Sequence, residues 1–258
     1  MVLHAVSSER NMPGRIMAFV YGLLCYAISF VILLYACGFV GNFVVPRSID
    51  SAPIVPLGNA LLINTALLGL FGLQHSGMAR QEFKQKWTQL VPKAVERSTY
   101  ILFSSLCLGT LFYFWQPMGG QIWQVTNSTG VALLYSICAA GWLIVLGSTF
   151  LINHFDLFGL RQVWLYLRGQ DYTDLKFGTP GLYKVVRHPL YVGLILAFWA
   201  TPIMTVAHLV FAIVTTVYIL MAIQLEERDL VNMHGETYQN YRRRVPMIIP
   251  FLRRQHSR

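Results

Sequence analysis

Residues 188–225 read HPLYVGLILAFWATPIMTVAHLVFAIVTTVYILMAIQL, 38 residues without one Asp, Glu, Lys or Arg. A helix needs roughly 20 mostly apolar residues to cross the hydrocarbon of a bilayer, so the stretch is too long for one span and slightly short of two. Thr201-Pro202 lies near its middle, where a proline ends or kinks a helix. It is either a tight helical hairpin or one long kinked helix, and the two readings put everything that follows on opposite sides of a membrane.

The rest of the chain decides between them. Residues 16–40 form a first apolar span and 57–73 a second, after a loop broken by Pro46, Pro53 and Pro56. Residues 98–155 again carry no charge, and the Gln116-Pro-Met-Gly-Gly120 break divides them into spans at 99–115 and 130–152. Lys and Arg collect in cytoplasmic loops. With a hairpin at the end, the inner segments hold Arg10 and Arg15; Arg80, Lys84, Lys86, Lys93 and Arg97; Arg161, Arg168, Lys176, Lys184 and Arg187; and Arg228, Arg242, Arg243, Arg244, Arg253, Arg254 and Arg258. Of the 20 Lys and Arg, Arg47 alone is left outside. A single final helix would move the last seven across. The reading is therefore all-α: a polytopic membrane helical bundle of about six transmembrane helices, with a C-terminal hairpin, a cytoplasmic cap and both termini inside, probed by bilayer lipid on its flanks.

Composition agrees. The 258 residues are 55% apolar and 12% charged, where soluble domains carry about 25% charged residues. The +9 balance lies in short islands between apolar runs, so it is a topological signature and predicts no nucleic-acid partner. The first apolar run is too long for a cleaved signal and reads as an anchor. Cys25, Cys37, Cys107 and Cys138 each lie inside an apolar run without metal-ligand spacing, and no metal is expected.

Some polar residues are not explained by the membrane. In Gly178-Thr-Pro-Gly-Leu-Tyr-Lys-Val-Val-Arg-His-Pro-Leu-Tyr-Val-Gly193, Tyr183 and Arg187 are one helical turn apart and Pro189 suits a helix first turn. Free N–H groups there, flanked by Arg187 and His188, would hold an anion such as a carboxylate. Glu226 and Glu227 stand where the last span leaves the membrane, costly unless hydrated, paired or functional. Pairing with nearby arginines accounts for one of the two. Tyr238 and Tyr241 share a helical face, closed by Pro246 and Pro250. On the N-terminal side, Gln74-His75-Ser76 ends the second span and Asn153-His154-Phe155-Asp156 the fourth. Both should emerge on the cytoplasmic side, beside His188, and Asp156 shows no neighbouring cation.

The ordered set Gly181, Tyr183, Arg187, His188, Pro189, Tyr191, Gly193, Glu226, Glu227, Gly235, Tyr238, Tyr241 and Pro250 resembles the signature of the isoprenylcysteine carboxyl methyltransferase and phospholipid methyltransferase superfamily. That resemblance implies S-adenosylmethionine as methyl donor. It would place Arg187 and His188 at the methionine end, Glu226 or Glu227 at the ribose hydroxyls or amino group, and Tyr183, Val186, Tyr191 and Tyr238 around the adenine and sulfonium. The Gln-His-Ser-x-Met-Ala-Arg run at 74–80, Glu96-Arg97-Ser-Thr-Tyr100 and Phe155-Asp-Leu-Phe-Gly-Leu-Arg-Gln162 are similar, more narrowly, to bacterial methanethiol S-methyltransferases and the NnrU-like membrane proteins related to them. This implies one membrane domain over 1–258, with 1–155 on the acceptor side, 156–258 on the donor side, and a small thiol as partner. A thiol of pKa about 8.5 or higher needs a base, for which His75 and Asp156, as an oriented pair, and then His154 are the candidates. A prenylated cysteine carboxylate or a phospholipid headgroup as acceptor, and a non-enzymatic membrane protein, remain the alternatives.

Overall fold

A computed structural model describes residues 12–250; Arg10, Arg253, Arg254 and Arg258 lie outside the described residues. Thirteen segments follow in order. Helix α1 is Met12–Gly41, α2 Leu57–Ala79, α3 Gln81–Trp87 and α4 Lys93–Phe114. Strand β1 is Gln121–Gln124, α5 Ser128–Ile152, α6 His154–Leu157 and α7 Leu160–Leu167. A 3₁₀ turn at Gly181–Lys184 precedes α8 (Pro189–Trp199), β2 (Ile203–Thr205), α9 (Val206–His234) and α10 (Glu236–Arg244).

Four of these helices, α1, α2, α5 and α9, are long and apolar enough to cross a membrane, and the polytopic all-α reading holds. Helix α2 runs six residues past the expected end, carrying Gln74, His75 and Ser76 inside a helix. Helix α4 begins at Lys93, directly after Pro92, and its buried face is Ser98, Thr99, Tyr100, Ser104, Ser105, Leu111 and Phe112. That face is mostly polar, and the charges that make the helix less apolar than its neighbours, Lys93, Glu96 and Arg97, lie in its first turns.

The 188–225 stretch divides at Thr201-Pro202, as the charge distribution requires. Its two arms are unequal. With 11 residues, α8 is about 16 Å long, roughly half of the hydrocarbon thickness. The residues after it form β2, antiparallel to β1. No strand was expected from the sequence. Bilayer hydrocarbon leaves unpaired backbone groups unsatisfied, and here the α4–α5 and α8–α9 connections satisfy each other: Val125 N donates to Pro202 O at 2.8 Å and Trp123 Nε1 to Thr201 O at 3.2 Å. Tyr183 and Arg187 are also not on one helix. The backbone before Pro189 lies outside the helical region at His188 (φ −126°, ψ 63°), the α region being disfavoured before a proline.

The chain forms two compact units. One contains the chain through Ala36, Ile63–Trp115 and Asn153–Leu175; the other contains Cys37–Leu62, Gln116–Ile152 and the chain from Lys176 onward. In the first, α1 meets α4 through Tyr21–Thr99 (3.0 Å) and Ser29–Ser105 (2.9 Å) hydroxyl pairs. In the second, α5 and α8 approach until their backbones touch. A Cβ at Gly141 would lie 2.7 Å from the Gly193 carbonyl oxygen and from the Ala197 nitrogen, and one at Gly193 would lie 2.6 Å from the Gly141 carbonyl oxygen. Small residues allow such packing where water supplies no drive for association. Gly193→Val should therefore destabilise the full chain in detergent by about 2 kcal/mol or more, read as a lowered Tm. Gly147→Ala on α5, where an added Cβ meets nothing within 4 Å, should leave it unchanged.

Candidate active site

The second unit gathers the Arg-His-Pro turn, the Glu pair and α10. Glu227 is 4% exposed, and its carboxylate is surrounded by donors. Arg187 Nε reaches Oε1 at 2.6 Å, His188 Nε2 donates to the same oxygen at 3.1 Å, and Arg242 Nε lies 3.3 Å from Oε2. Arg187 Nη1 donates onward to the carbonyls of Arg242 (3.1 Å) and Val245 (2.6 Å), while the amides of Arg187 and His188 donate to Pro246 O and Met247 O. The segment after α10 is thereby strapped along the Arg-His-Pro turn.

Glu226, one residue away, behaves differently. Successive helix residues point about 100° apart, and its side chain is 45% exposed. Tyr191 OH donates to Oε2 at 3.0 Å, and His188 Nδ1 stands 3.9 Å from the same atom. Arginine pairing thus accounts for one glutamate of the two, and that one is Glu227.

Aromatic side chains complete this cluster. The ring of Phe177 meets His234, Tyr238 and Tyr241 at 5.1, 5.7 and 5.6 Å, and Tyr238 and Tyr241 are 5.7 Å apart on α10. Tyr241 OH donates to Tyr183 O at 2.6 Å. Burial, with Glu226 nearby, pushes the Tyr183 phenol well up; burial, with Glu227 nearby, does the same for Tyr238; burial takes Tyr241 to about 12. All three stay neutral rings and hydrogen-bond donors. Val186 is 5% exposed. The eight residues expected on the donor side (Tyr183, Val186, Arg187, His188, Tyr191, Glu226, Glu227 and Tyr238) are all in this unit. Phe177, Tyr241 and Arg242 join them. The sequence offered no signal for Phe177 beyond an aromatic residue in a polar connection.

The acceptor-side candidates lie in the first unit, in separate networks. His75 stacks on Phe71 (centroids 5.2 Å) and meets two hydroxyls of α4: Ser104 Oγ is 3.1 Å from Nδ1, and Tyr100 OH 3.0 Å from it. His154, 3% exposed, shares a 2.9 Å bond between Nε2 and Tyr26 OH among the rings of Phe155 and Phe158. Asp156 does have a cation. Arg161 Nη1 lies 3.0 Å from Oδ1, with Gln162 Nε2 at 3.4 Å and Tyr172 OH 3.4 Å from Oδ2. The sequence hid this because Gly159 (φ +84°) breaks the helix between the two and turns Arg161 back. Asp156 is therefore held by Arg161 rather than oriented against His75. Among the described residues no group of three His, Cys, Asp or Glu side chains is placed to hold a metal ion.

The comparisons with known proteins can now be set beside this geometry. A phospholipid methyltransferase family model matches residues 135–237, from α5 through the Arg-His-Pro turn to the glutamate pair. The chain is 60% identical to a methanethiol S-methyltransferase of Crocosphaera subtropica over 93% of its own length and 94% of the relative's. It is 51% identical to methanethiol S-methyltransferase 1 of Bradyrhizobium diazoefficiens (93% and 84%) and 49% identical to a methanethiol S-methyltransferase of Mycobacterium tuberculosis (92% and 97%). The chain belongs to the methanethiol S-methyltransferase family. No solved structure matches it. Membership at this identity spans both units, so the His75 and Asp156 networks fall within the methanethiol S-methyltransferase likeness as well as the Glu226–Glu227 cluster.

Two outcomes follow from this geometry. Glu227→Ala leaves Arg187 buried without its partner and should cost roughly 3–5 kcal/mol, with residues 242–247 becoming protease-sensitive. Glu226→Ala, at a half-exposed side chain, should change stability by no more than about 0.5 kcal/mol. His154 is kept neutral by burial, its pKa lowered. The unfolded chain takes up a proton that the folded chain refuses, so stability is complete above about pH 6.5 and falls as the pH drops below it. His154→Phe should flatten that acid limb in pH-dependent thermal unfolding.

Proposed function

We propose that the protein methylates methanethiol to dimethyl sulfide with S-adenosylmethionine as donor, as an integral protein of a bacterial inner membrane with both termini cytoplasmic. The observation that carries this reading is the 60% identity, over nearly the whole of both chains, to a methanethiol S-methyltransferase. The Lys and Arg distribution supports the orientation.

The second unit's residues fit the donor chemically. A cationic nucleoside with ribose hydroxyls calls for a carboxylate and for ring faces. Glu226 is the carboxylate left accessible, fixed by Tyr191, and the rings of Tyr183, Tyr238 and His188 stand with it. We assign Glu226 to the ribose hydroxyls or ammonium group, His188 and Arg187 to the methionine end, and Val186, Tyr183, Tyr191 and Tyr238 to the walls. Glu227 serves them indirectly by fixing Arg187 and His188. S-adenosylmethionine, when bound, supplies an electrophilic methyl carbon on a sulfonium, the acceptor of a thiolate's electron pair.

The protein's own contribution to the reaction is removal of the thiol proton and exclusion of water. His75 is the base in this reading: it is uncharged by any partner carboxylate, and its contacts are two hydroxyls and a stacked ring. Asp156 is neutralised by Arg161 and His154 is enclosed by aromatic rings, so they are the second and third candidates.

Purified protein given S-adenosylmethionine and methanethiol should release dimethyl sulfide into the headspace, and calorimetry with S-adenosylhomocysteine should show binding. Glu226→Gln should weaken that binding at least about tenfold, the share of one hydrogen bond to a charged group. His75→Ala should retain it and lose roughly 10²–10⁴ in kcat, the usual worth of a general base. Binding without methanethiol turnover, but with turnover of prenylated cysteine or phospholipid, would move the acceptor to a lipid. Neither binding nor turnover would reject the enzyme.

A further inference from the structure

On α4, Tyr100 and Ser104 are one turn apart and both point at His75 of α2. Each hydroxyl has a single proton, and each has a backbone carbonyl within reach. Ser104 Oγ donates to Tyr100 O at 3.0 Å, and Tyr100 OH donates to His75 O at 3.3 Å. Toward the imidazole, Ser104 Oγ can then only accept. Nδ1 is the ring atom they share, 3.1 Å from Ser104 Oγ and 3.0 Å from Tyr100 OH. Tyr100 OH is also 3.2 Å from Nε2; with Ser104 accepting at Nδ1, a Tyr100 proton given to the carbonyl or to Nε2 agrees with the same tautomer.

Both hydroxyls are held firmly. Ser104 is 7% and Tyr100 4% exposed. The Arg97 guanidinium lies 5.1 Å above the Tyr100 ring, itself anchored by donating from Nε to Leu157 O at 2.9 Å. Phe71 stacks on the imidazole and limits its rotation. A neutral imidazole can place its proton on either nitrogen, and the hydrogen bond at one nitrogen decides what the other presents.

We propose that Ser104, with Tyr100, is a positioning residue that fixes the proton of His75 on Nδ1 and so presents Nε2 as the lone-pair nitrogen that takes the proton of a small thiol. The assignment of Nε2 to a thiol rests on the methyltransferase reading above; the tautomer does not. In the other tautomer Nδ1 would carry the lone pair and face the lone pair of Ser104 Oγ, and Nε2 would already hold a proton.

The test uses the full chain with ¹⁵N-labelled histidine in detergent or nanodiscs, at a pH where free imidazole is neutral. The His75 ring, assigned by loss of its signals in His75→Gln, should show protonated Nδ1 and unprotonated Nε2. Ser104→Ala should shift it toward the other tautomer and lower kcat with methanethiol by about 10–100-fold, the usual effect of removing a group that orients a reactive one. S-adenosylhomocysteine affinity should not change, and Ser104→Thr, which keeps the hydroxyl, should restore both tautomer and rate. Protonated Nε2 in the unsubstituted protein would overturn the inference, as would full kcat in Ser104→Ala. A protein with the expected tautomer that turns over no thiol would instead refute the functional reading and leave the Ser104 assignment standing.

Discussion

A buried carboxylate organises the second unit of this protein. Removing Glu227 from water costs several kcal/mol, and the position is tolerable only because the donors of Arg187, His188 and Arg242 close on it. Those donors come from before α8 and from the end of α10, some 40 and 15 residues away along the chain. The ion cluster therefore does what an apolar contact could not do at a membrane boundary: it fixes the register of two polar segments against the end of α9. Once Glu227 is committed, Glu226 is carried to the accessible side by helix geometry alone. Two adjacent glutamates thus acquire opposite work without any difference in side chain.

The same segments explain why a half-length α8 is stable. Its N-terminus is capped by chain geometry at His188-Pro189 and held by the two amide bonds to Pro246 and Met247. Its middle lies in backbone contact with α5 at Gly141 and Gly193, and its C-terminal exit is taken up by the β1–β2 pair.

Much of this was legible in the chain. Spans follow from charge-free runs, and the hairpin from Pro202 together with the Lys and Arg islands, because both are signals that the bilayer imposes on local sequence. The gathering of the Arg-His-Pro turn, the glutamate pair and Tyr238 was legible through motif spacing. The partner of Asp156 was not, since Gly159 turns the chain through a positive φ that spacing cannot reveal. The strands were not, since four and three residues between proline and glycine breaks carry too little periodicity. Ser104 and Tyr100 were not, because a serine or tyrosine in an apolar run is ordinary in a membrane helix; only the facing His75 gives them meaning.

That last case bears on how a histidine can be oriented inside a bilayer. A soluble enzyme can set a histidine tautomer with a buried carboxylate, but a carboxylate within hydrocarbon is expensive and would favour the imidazolium, a weaker starting point for taking a proton. A hydroxyl such as Ser104, whose own proton is engaged by a carbonyl, can accept from Nδ1 without adding charge. The polar buried face of α4, Ser98, Thr99, Tyr100, Ser104 and Ser105, is built of such neutral groups. It sets neutral oxygens against His75, with the Arg97 guanidinium above the Tyr100 ring.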